Sequence, residues 1–491
     1  MKNLLFIGVD QLRHDVVGPN KKVPAQTPNL DALIAGGVNF ENAYATCPLC
    51  TPSRASMFTG DYAFRHGMGT NCDMYHALGT ELAKPDRLLH RDMQRVGYQC
   101  GFVGKWHVGV KNTPADYGFL GDAPAGYGDL TTTEAYKSYL ATNALSYQVE
   151  PTLFFNPHQQ TMAAGRWLGS VASTTCYFQT LQAMTMLDTL ASSERPFFLS
   201  LQYWDPHGPH LIPDKFWQYT DRSTLTVWDN FNDNLSAKPA RIKRERDDFY
   251  RCHPRTEEEL IEYIGLYCDH VALLDSQIGR LLDFLTNREL IDDTLIIFTS
   301  DHGDMTGSHG GLIDKGLPYE EAMRVPLVFC HPSLAPATLT NLALNMDILP
   351  TAMGLMDIAF DPRAARNLAP EILSKDAERR DFLLAEYHGL RYLYSQRILI
   401  SDDNWKYIFS PGDYDELYNL NSDPCEMKNL ASSDLLYAKK LNEMRNALIQ
   451  ETTRFNDPLR DCVAKFNGQW RTGSTQFDAT TVHLTTPKVQ P

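Results

Sequence analysis

Asn3 to Val9 (NLLFIGV) is a near-continuous apolar run closed by Asp10. A run without polar alternation reads as a strand buried on both faces. The same pattern returns at Cys100 to Val103, at Pro196 to Trp204 (PFFLSLQYW) and at Thr294 to Thr299 (TLIIFT). Between these runs the period becomes helical. Thr27-Pro28 offers a capping hydroxyl followed by proline at the first helical position. Within Pro85 to Val96, apolar residues at 88, 89, 93 and 96 recur at helical spacing, and Glu257 to Leu285 is a long helical stretch. Buried strands alternating with helices predict an α/β sheet. Polar residues gather just past the strand ends, at Asp10-Gln11, at Asp205-Pro206-His207-Gly208-Pro209 and at Ser300-Asp301-His302-Gly303. A site at the carboxyl ends of the strands is the expectation for that class.

The pattern changes after about residue 360. Phe382 to Tyr387, Arg397 to Ser401 and Trp405 to Ser410 read as short strands divided by turns, and a helix follows with Leu441, Met444 and Leu448 on one face. The expected organisation is a catalytic domain over residues 1–360, a smaller C-terminal α+β domain over 361–467, and a Thr-rich tail over 468–491. The tail lacks periodicity and reads either as loose chain or as an arm that wraps a partner subunit in a homo-oligomer. Internal repeats are not found.

Composition narrows the class. The chain has 491 residues, 43% of them hydrophobic and 21% charged, enough for a large core and more than one domain. A net charge of −15 excludes a nucleic-acid binder, which needs clustered Lys and Arg. It does not exclude a small anionic substrate, because charge inside a cleft outweighs screened charge on a distant surface. Met1 to Val9 is too short for a signal-peptide core, and no stretch approaches the ~20 apolar residues of a membrane span. The ten cysteines are scattered, which predicts free thiols and a cytoplasmic location without membrane attachment.

Cys47-Pro-Leu-Cys50-Thr51-Pro52-Ser53-Arg54 precedes a predicted helix, Ala55 to Thr59, closed by Gly60. A Cys-x-x-Cys at a helix start can be a redox pair or half of a zinc site. A second Cys-x-x-Cys is lacking, and the other cysteines lack zinc spacing. Asp10 and Asp301, with Gln11 and His302, put carboxylates, an amide and an imidazole at strand ends that one sheet can bring together. That donor set suits Ca²⁺, Mg²⁺ or Mn²⁺. Gly104-Lys105-Trp106-His107-x-Gly109, His207 and Lys315 add cations and imidazoles after other strands and loops. Taken singly, each is more often a surface lysine or a satisfied core histidine. Together, beside a nucleophile and a metal set, they point to function.

Cys50-x-Pro52-Ser53-Arg54 resembles the signature of the formylglycine-dependent sulfatases, a family of the alkaline phosphatase superfamily. Gly104-Lys105-Trp106-His107-x-Gly109 and the run from Ser300-Asp301-His302-Gly303 through His309-Gly310 to Lys315 resemble further segments of it. So do Arg324-Val-Pro326, Asp347-x-x-Pro350-Thr351 and the stretch from Glu416 through Asp423-Pro424-x-Glu426 to Leu430. The resemblance runs collinearly from residue 1 to about 430.

It implies an alkaline-phosphatase-like α/β/α sandwich with the smaller α+β domain behind it. The implied activity is hydrolysis of sulfate monoesters, with Cys50 oxidised to formylglycine by a formylglycine-generating enzyme. A hydrated aldehyde offers one hydroxyl to attack sulfur and a second to expel sulfate. A serine would leave a sulfated enzyme for water to hydrolyse. Pro52 fits the first helical turn, and the helix N-terminus favours the anion. The implied metal ligands are Asp10, Gln11, residue 50, Asp301 and His302, and Arg54 balances the carboxylates. Lys105 would hold a sulfate oxygen, and His107 would be the base for sulfate release. His207 and Lys315 would serve the leaving alcohol. His210 is the nearest competitor of His207, and His309 either joins the site or braces its loop. Many sulfatases carry a second acid where this chain has Gln11, so the implied ion is Ca²⁺ or Mn²⁺. Tyr75, Trp106 and Tyr319 lie near these motifs, and the expectation is an aryl sulfate held in an aromatic pocket, unless these rings are core.

Three other readings compete. Phosphonate monoester or phosphodiester hydrolases of the same superfamily share the glutamine at the position of Gln11. They generally use Tyr and Thr where this chain has Lys105 and His107, which favours sulfate. A metal-bound binding protein with unmodified Cys50, or a thiol–disulfide protein using Cys47 and Cys50, would need none of Lys105, His107, His207 and Lys315.

Overall fold

A computed structural model of the chain describes residues 1–83, 87–156, 161–249, 254, 256–361, 363–374, 377–431 and 436–466. Pro85, Cys252 and the expected 468–491 arm lie outside the described residues.

Strands are numbered along the chain: β1 (Asn3–Val9), β2 (Val38–Tyr44), β3 (Gln99–Gly104), β4 (Gln148–Asn156), β5 (Thr161–Leu168), β6 (Phe197–Gln202), β7 (His210–Pro213), β8 (Thr294–Ser300), β9 (Leu327–Cys330), β10 (Ala337–Leu344), β11 (Phe382–Tyr387), β12 (Gln396–Ser401), β13 (Trp405–Phe409) and β14 (Glu416–Asn419). A seven-stranded sheet in the order β10-β2-β9-β8-β1-β6-β3 forms the centre. β1 pairs in parallel with both β6 and β8, which suits their near-continuous apolar runs. Leu4 and Phe6 of β1 enter one core, with the Cys50–Thr59 and Ile348–Leu355 helices. Leu5, Ile7 and Val9 enter another, with the Thr175–Ala191 and Glu257–Asn287 helices. Alternate side chains of one strand thus feed cores on both faces, which is the α/β/α sandwich expected.

β9, which the sequence did not reveal, runs antiparallel to both β8 and β2. Four residues (LVFC) carry too little pattern to reveal a direction. A three-stranded sheet, β4-β5-β7, and an antiparallel four-stranded sheet, β11-β12-β13-β14, complete the architecture. Leu383, Leu399, Ile408 and Leu417 of the four-stranded sheet share one core with Leu441, Met444 and Leu448 of the Ala438–Arg454 helix. The same core takes in Tyr44, Leu49, Tyr319 and Met323 from the central unit.

The helix expected at Ala55 begins at Cys50 instead and ends at Thr59, with Gly60 left-handed at φ 67°. Gly104 closes β3 at φ 101°, and a Cβ there would lie 2.0 Å from the carbonyl oxygen of Gln202. Only glycine accepts both constraints. Gly104→Ala is expected to destabilise the fold by about 2 kcal/mol or more through backbone strain and overpacking. Thermal unfolding would measure it, and an unchanged Tm would refute it.

Candidate active site

Three strand ends converge on one buried point. β1 delivers Asp10 and Gln11, β3 delivers Lys105 and His107, and β8 delivers Asp301 and His302. The Cys50–Thr59 helix brings Cys50 to the same place as its first residue, and every residue of that helix is buried. Cys50 Sγ lies 3.2 Å from His302 Nε2, 3.9 Å from Asp10 Oδ1 and 3.9 Å from Lys105 Nζ.

Arg54, one helical turn on, is clamped between the two carboxylates. Its Nε donates to Asp301 Oδ2 at 2.9 Å and its Nη2 to Asp10 Oδ2 at 3.2 Å, while Nη1 donates to Lys105 O at 3.0 Å. Lys105 Nζ donates to Asp10 Oδ2 and sits 4.3 Å from the centre of the Tyr127 ring. Asn345 holds the helix start from below, donating to Ser53 Oγ at 2.7 Å and Asp301 O at 3.1 Å.

A second group adjoins the first. Lys315 Nζ donates to Gln11 Oε1 at 2.9 Å and to His207 Nε2. The Gln11 carboxamide also donates to Asp304 and, at 3.3 Å, to Asp314. Gln11 itself is left-handed at φ 68°, and its backbone N–H donates to Asp301 Oδ1 at 3.1 Å. His107, left-handed at φ 53°, bonds Asp73 Oδ1 through Nε2 at 3.1 Å. Thr51 Oγ1 donates to its carbonyl at 2.6 Å, tying it to the nucleophile helix.

The electrostatics follow from this crowding. Burial raises the Asp10 carboxyl, but Lys105, His207, Arg54 and Lys315 outweigh it and hold Asp10 well below the carboxylate range. Asp301 is pushed up by burial and by the Asp10 charge beside it. Burial and Asp10 push the Cys50 thiol up, yet Lys105, Lys315 and His302 together hold it well below its usual range. His302 is lowered by burial, but Asp301 and Cys50 bring it up to about 9. Burial and the neighbouring Lys315 lower His207 to about 4.

The donor set fits a divalent cation. Ligand atoms of Asp10, Cys50, Asp301 and His302 all lie within 4.8 Å of one another and all four residues are buried. His302 Nε2 is 3.6 Å from Asp301 Oδ1 and 3.8 Å from Asp10 Oδ1. Such spacings match neighbouring ligands around an ion at about 2.3 Å. His302 Nδ1 meets Gly303 O at 2.9 Å, which leaves Nε2 facing the carboxylates as a ligand would.

Asp10, Cys50, Arg54, Lys105, Asp301 and His302 are therefore in direct contact. Gln11, Lys315 and His207 form the adjoining group, and His107 joins through Thr51 and through the Tyr127 ring at 5.5 Å. His210 is elsewhere, bonded to His270 at 3.1 Å in a buried chain that ends on Asp205. His309 bonds Asp233 at 2.9 Å and braces its own loop. The aromatic pocket expected of Tyr75, Trp106 and Tyr319 does not form. Trp106 packs among Phe58, Phe102 and Tyr117, Tyr319 is buried against Glu416, and Tyr75 is 92% exposed. The aromatic ring at the site is Tyr127. Sequence reasoning missed it, along with Asp73, Gln202, Asp304, Asp314 and Asn345. Each is a lone polar or aromatic residue on a loop or strand end, with no spacing signal of its own.

Fold and site define a hydrolase of the alkaline phosphatase superfamily. The sulfatase family profile matches residues 2–358, and the profile of the N-sulphoglucosamine sulphohydrolase C-terminal region matches residues 307–454. The chain belongs to the sulfatase family and is a sulfuric ester hydrolase. Among its relatives, a choline-sulfatase of Rhizobium meliloti (strain 1021) is 29% identical over 446 residues, covering 88% of this chain and 82% of the relative. An arylsulfatase of Clostridium perfringens (strain 13 / Type A) is 27% identical, covering 91% and 94%. A solved phosphonate monoester hydrolase from Silicibacter pomeroyi shares the fold at TM-score 0.77 and 21% identity, covering 93% of this chain and 96% of that one.

Proposed function

We propose that the chain hydrolyses sulfate monoesters, aryl sulfates among them, through formylglycine made from Cys50. The ion we propose is Ca²⁺ or Mn²⁺, held by Asp10, Gln11, Asp301 and His302 beside residue 50. The observation that carries this reading is the contact of Cys50 Sγ with His302 Nε2 at 3.2 Å and with Asp10 and Lys105 at 3.9 Å. The thiol stands where the oxygens of the oxidised residue would act.

A bound ion would supply Lewis-acid polarisation and lower the pKa of the attacking hydroxyl. The other roles belong to the chain. Arg54, paired with both carboxylates, favours the charged form of Asp10 and Asp301. Lys105, 3.9 Å from Cys50 Sγ, holds a sulfate oxygen. Lys315 protonates the leaving oxygen. His207, held neutral by burial, accepts from Lys315 and aims it, with its Nδ1 on Gly208 O at 2.6 Å. His107 takes the proton from residue 50 as sulfate departs, and Asp73 holds its far nitrogen. The Tyr127 ring, between Lys105 and His207, offers the apolar neighbour for an aryl group. An aryloxide also needs the least help to leave. A second reading, hydrolysis of phosphonate monoesters or phosphodiesters, is favoured by the neutral Gln11. A cationic cradle discriminates weakly between tetrahedral anions.

The same reading takes residues 1–360 as the catalytic domain, with a smaller α+β domain over 361–467 and the remainder as an arm of a homo-oligomer. It takes a formylglycine-generating enzyme as maturation partner and the cytoplasm as location. Among the described residues no helix is long and apolar enough to cross a membrane.

The test is mass spectrometry of the tryptic peptide containing Cys50, followed by assays with sulfate and phosphonate esters side by side. A mass showing an aldehyde in place of CH₂–SH supports the reading, and unmodified Cys50 from a host able to make formylglycine defeats it. His107→Ala is expected to slow sulfate release more than attack, by about 10²-fold or more, as for loss of a general base. The sulfated protein should then accumulate and be visible by intact mass. Its absence during slowed turnover would remove His107 from that role.

A further inference from the structure

The described residues hold another buried group with metal-ligand chemistry, at the seam between the central unit and the four-stranded sheet. Ligand atoms of His309, Glu321 and Glu426 lie within 4.8 Å of one another, and all three residues are buried. His309 Nε2 and Glu321 Oε2 have no hydrogen-bond partner, and they stand 3.6 Å apart, beyond hydrogen-bond length. His309 is fully buried and Glu321 is 7% exposed. Orphaned buried polar atoms need an explanation, and a bound ion is one.

The surroundings are those of a metal ligand set. Asp233 Oδ2 takes His309 Nδ1 at 2.9 Å, which fixes the ring so that Nε2 faces Glu321 Oε2. This is the carboxylate–histidine–metal arrangement. Asn230 Nδ2 donates to Glu321 Oε1 at 2.7 Å, orienting that carboxylate with Oε2 inward. Glu426 Oε2 accepts from the Glu320 backbone N–H at 2.7 Å. Its Oε1 pairs with Lys406 at 2.9 Å, and Lys406 is shared with Glu320 at 3.1 Å. The buried acids Asp233, Glu320, Glu321, Glu416 and Glu426 face the cations Lys238, Lys406 and Arg324.

The geometry points to a second metal site, separate from the nucleophile centre, in which His309 Nε2, Glu321 Oε2 and Glu426 Oε1 bind Zn²⁺ and pin the C-terminal sheet to the catalytic unit. One nitrogen and two carboxylate oxygens suit that ion. The site goes beyond the hydrolytic reading and does not depend on it.

The test uses full-length protein carrying Asp301→Asn, which weakens the nucleophile centre as a metal site so that dialysis empties it. The protein is stripped with chelator, loaded with Zn²⁺, dialysed and assayed for bound metal, with Tm recorded in parallel. The expected result is one retained equivalent and a higher Tm. Both effects should vanish on adding His309→Asn, a residue that tolerates the left-handed φ of 51° at this position. Glu426→Gln provides a second variant should the first fold poorly, and Asp10→Asn an alternative background. No retained Zn²⁺, or Zn²⁺ retained by folded His309→Asn and Glu426→Gln proteins, overturns the site. The group would then be a proton-balanced network, with His309 charged and one of its carboxyls protonated.

Discussion

Cys50→Ala is expected to lower kcat/KM for sulfate esters by about 10⁴-fold or more, since loss of a covalent nucleophile removes the reaction path itself. The substitution removes one buried sulfur from the start of a fully buried helix and leaves Arg54 clamped between Asp10 and Asp301. Its cost in stability should therefore stay near 1 kcal/mol. Activity and Tm separate the two effects, and Cys50→Ser sharpens the test. A serine hydroxyl can attack once but has no second hydroxyl with which to expel sulfate. A stoichiometric burst of alcohol with a stable sulfated protein should follow. If Cys50→Ala retains turnover within tenfold of the parent, the nucleophile lies elsewhere.

The elements that were legible in the chain are those whose pattern is set by burial alone. β1, β6 and β8 are near-continuous apolar runs because both of their faces are covered, and Leu4 to Ile7 alternate between two cores as such a strand must. The Glu257–Asn287 helix is legible for the same reason, with an apolar stripe over many turns and a Thr256 cap. β2 and β10 were not, because each mixes polar residues into its run, and β9 was not, because four residues do not reveal a direction that depends on partners distant in sequence. Asn39 and Asn42 are buried in β2 because the sheet and its neighbours cover them, and Asn42 Nδ2 finds Thr340 O. No local rule anticipates that.

The site divides along the same line. Residues inside contiguous motifs at strand ends, such as Asp301-His302 and Lys105-Trp106-His107, can be found because the strand announces the place where chemistry gathers. Asp73 and Tyr127 reach the site from loops, and their part is set only by where the chain returns in space. Trp106 sits inside a motif and faces the core. Motif membership therefore locates a segment, while the direction of each side chain waits on the packing. Gln11 is the instructive middle case. Its neutrality was visible in sequence, but not that its amide joins Lys315 to Asp304 and Asp314.

Asp301→Asn should have the broadest effect of any single change, because Asp301 serves the proposed ion, Arg54 and two backbone N–H groups at once. Its Oδ1 accepts from the backbone of Gln11 and His302, and its Oδ2 from Arg54 Nε. An asparagine keeps one acceptor oxygen but turns an amide N–H₂ toward one side, and whichever side it faces loses a partner. Facing Arg54, it leaves a fully buried guanidinium with only Asp10 to balance it. Breaking a buried pair costs about 3–5 kcal/mol, toward the low end here because Asp10 remains at 3.2 Å. Loss of an anionic ligand should also weaken the ion, and with it the activation of the attacking hydroxyl, by about 10³-fold in rate. Three measurements test the coupling: bound metal by elemental analysis, Tm, and kcat/KM with and without added Ca²⁺ or Mn²⁺. Excess metal should restore part of the rate but little of the Tm, because the Arg54 defect persists whether or not the ion is present. Full restoration of both would mean that Asp301 acts through the ion alone. An unchanged rate in chelator-treated Asp301→Asn protein would remove the divalent ion from the mechanism.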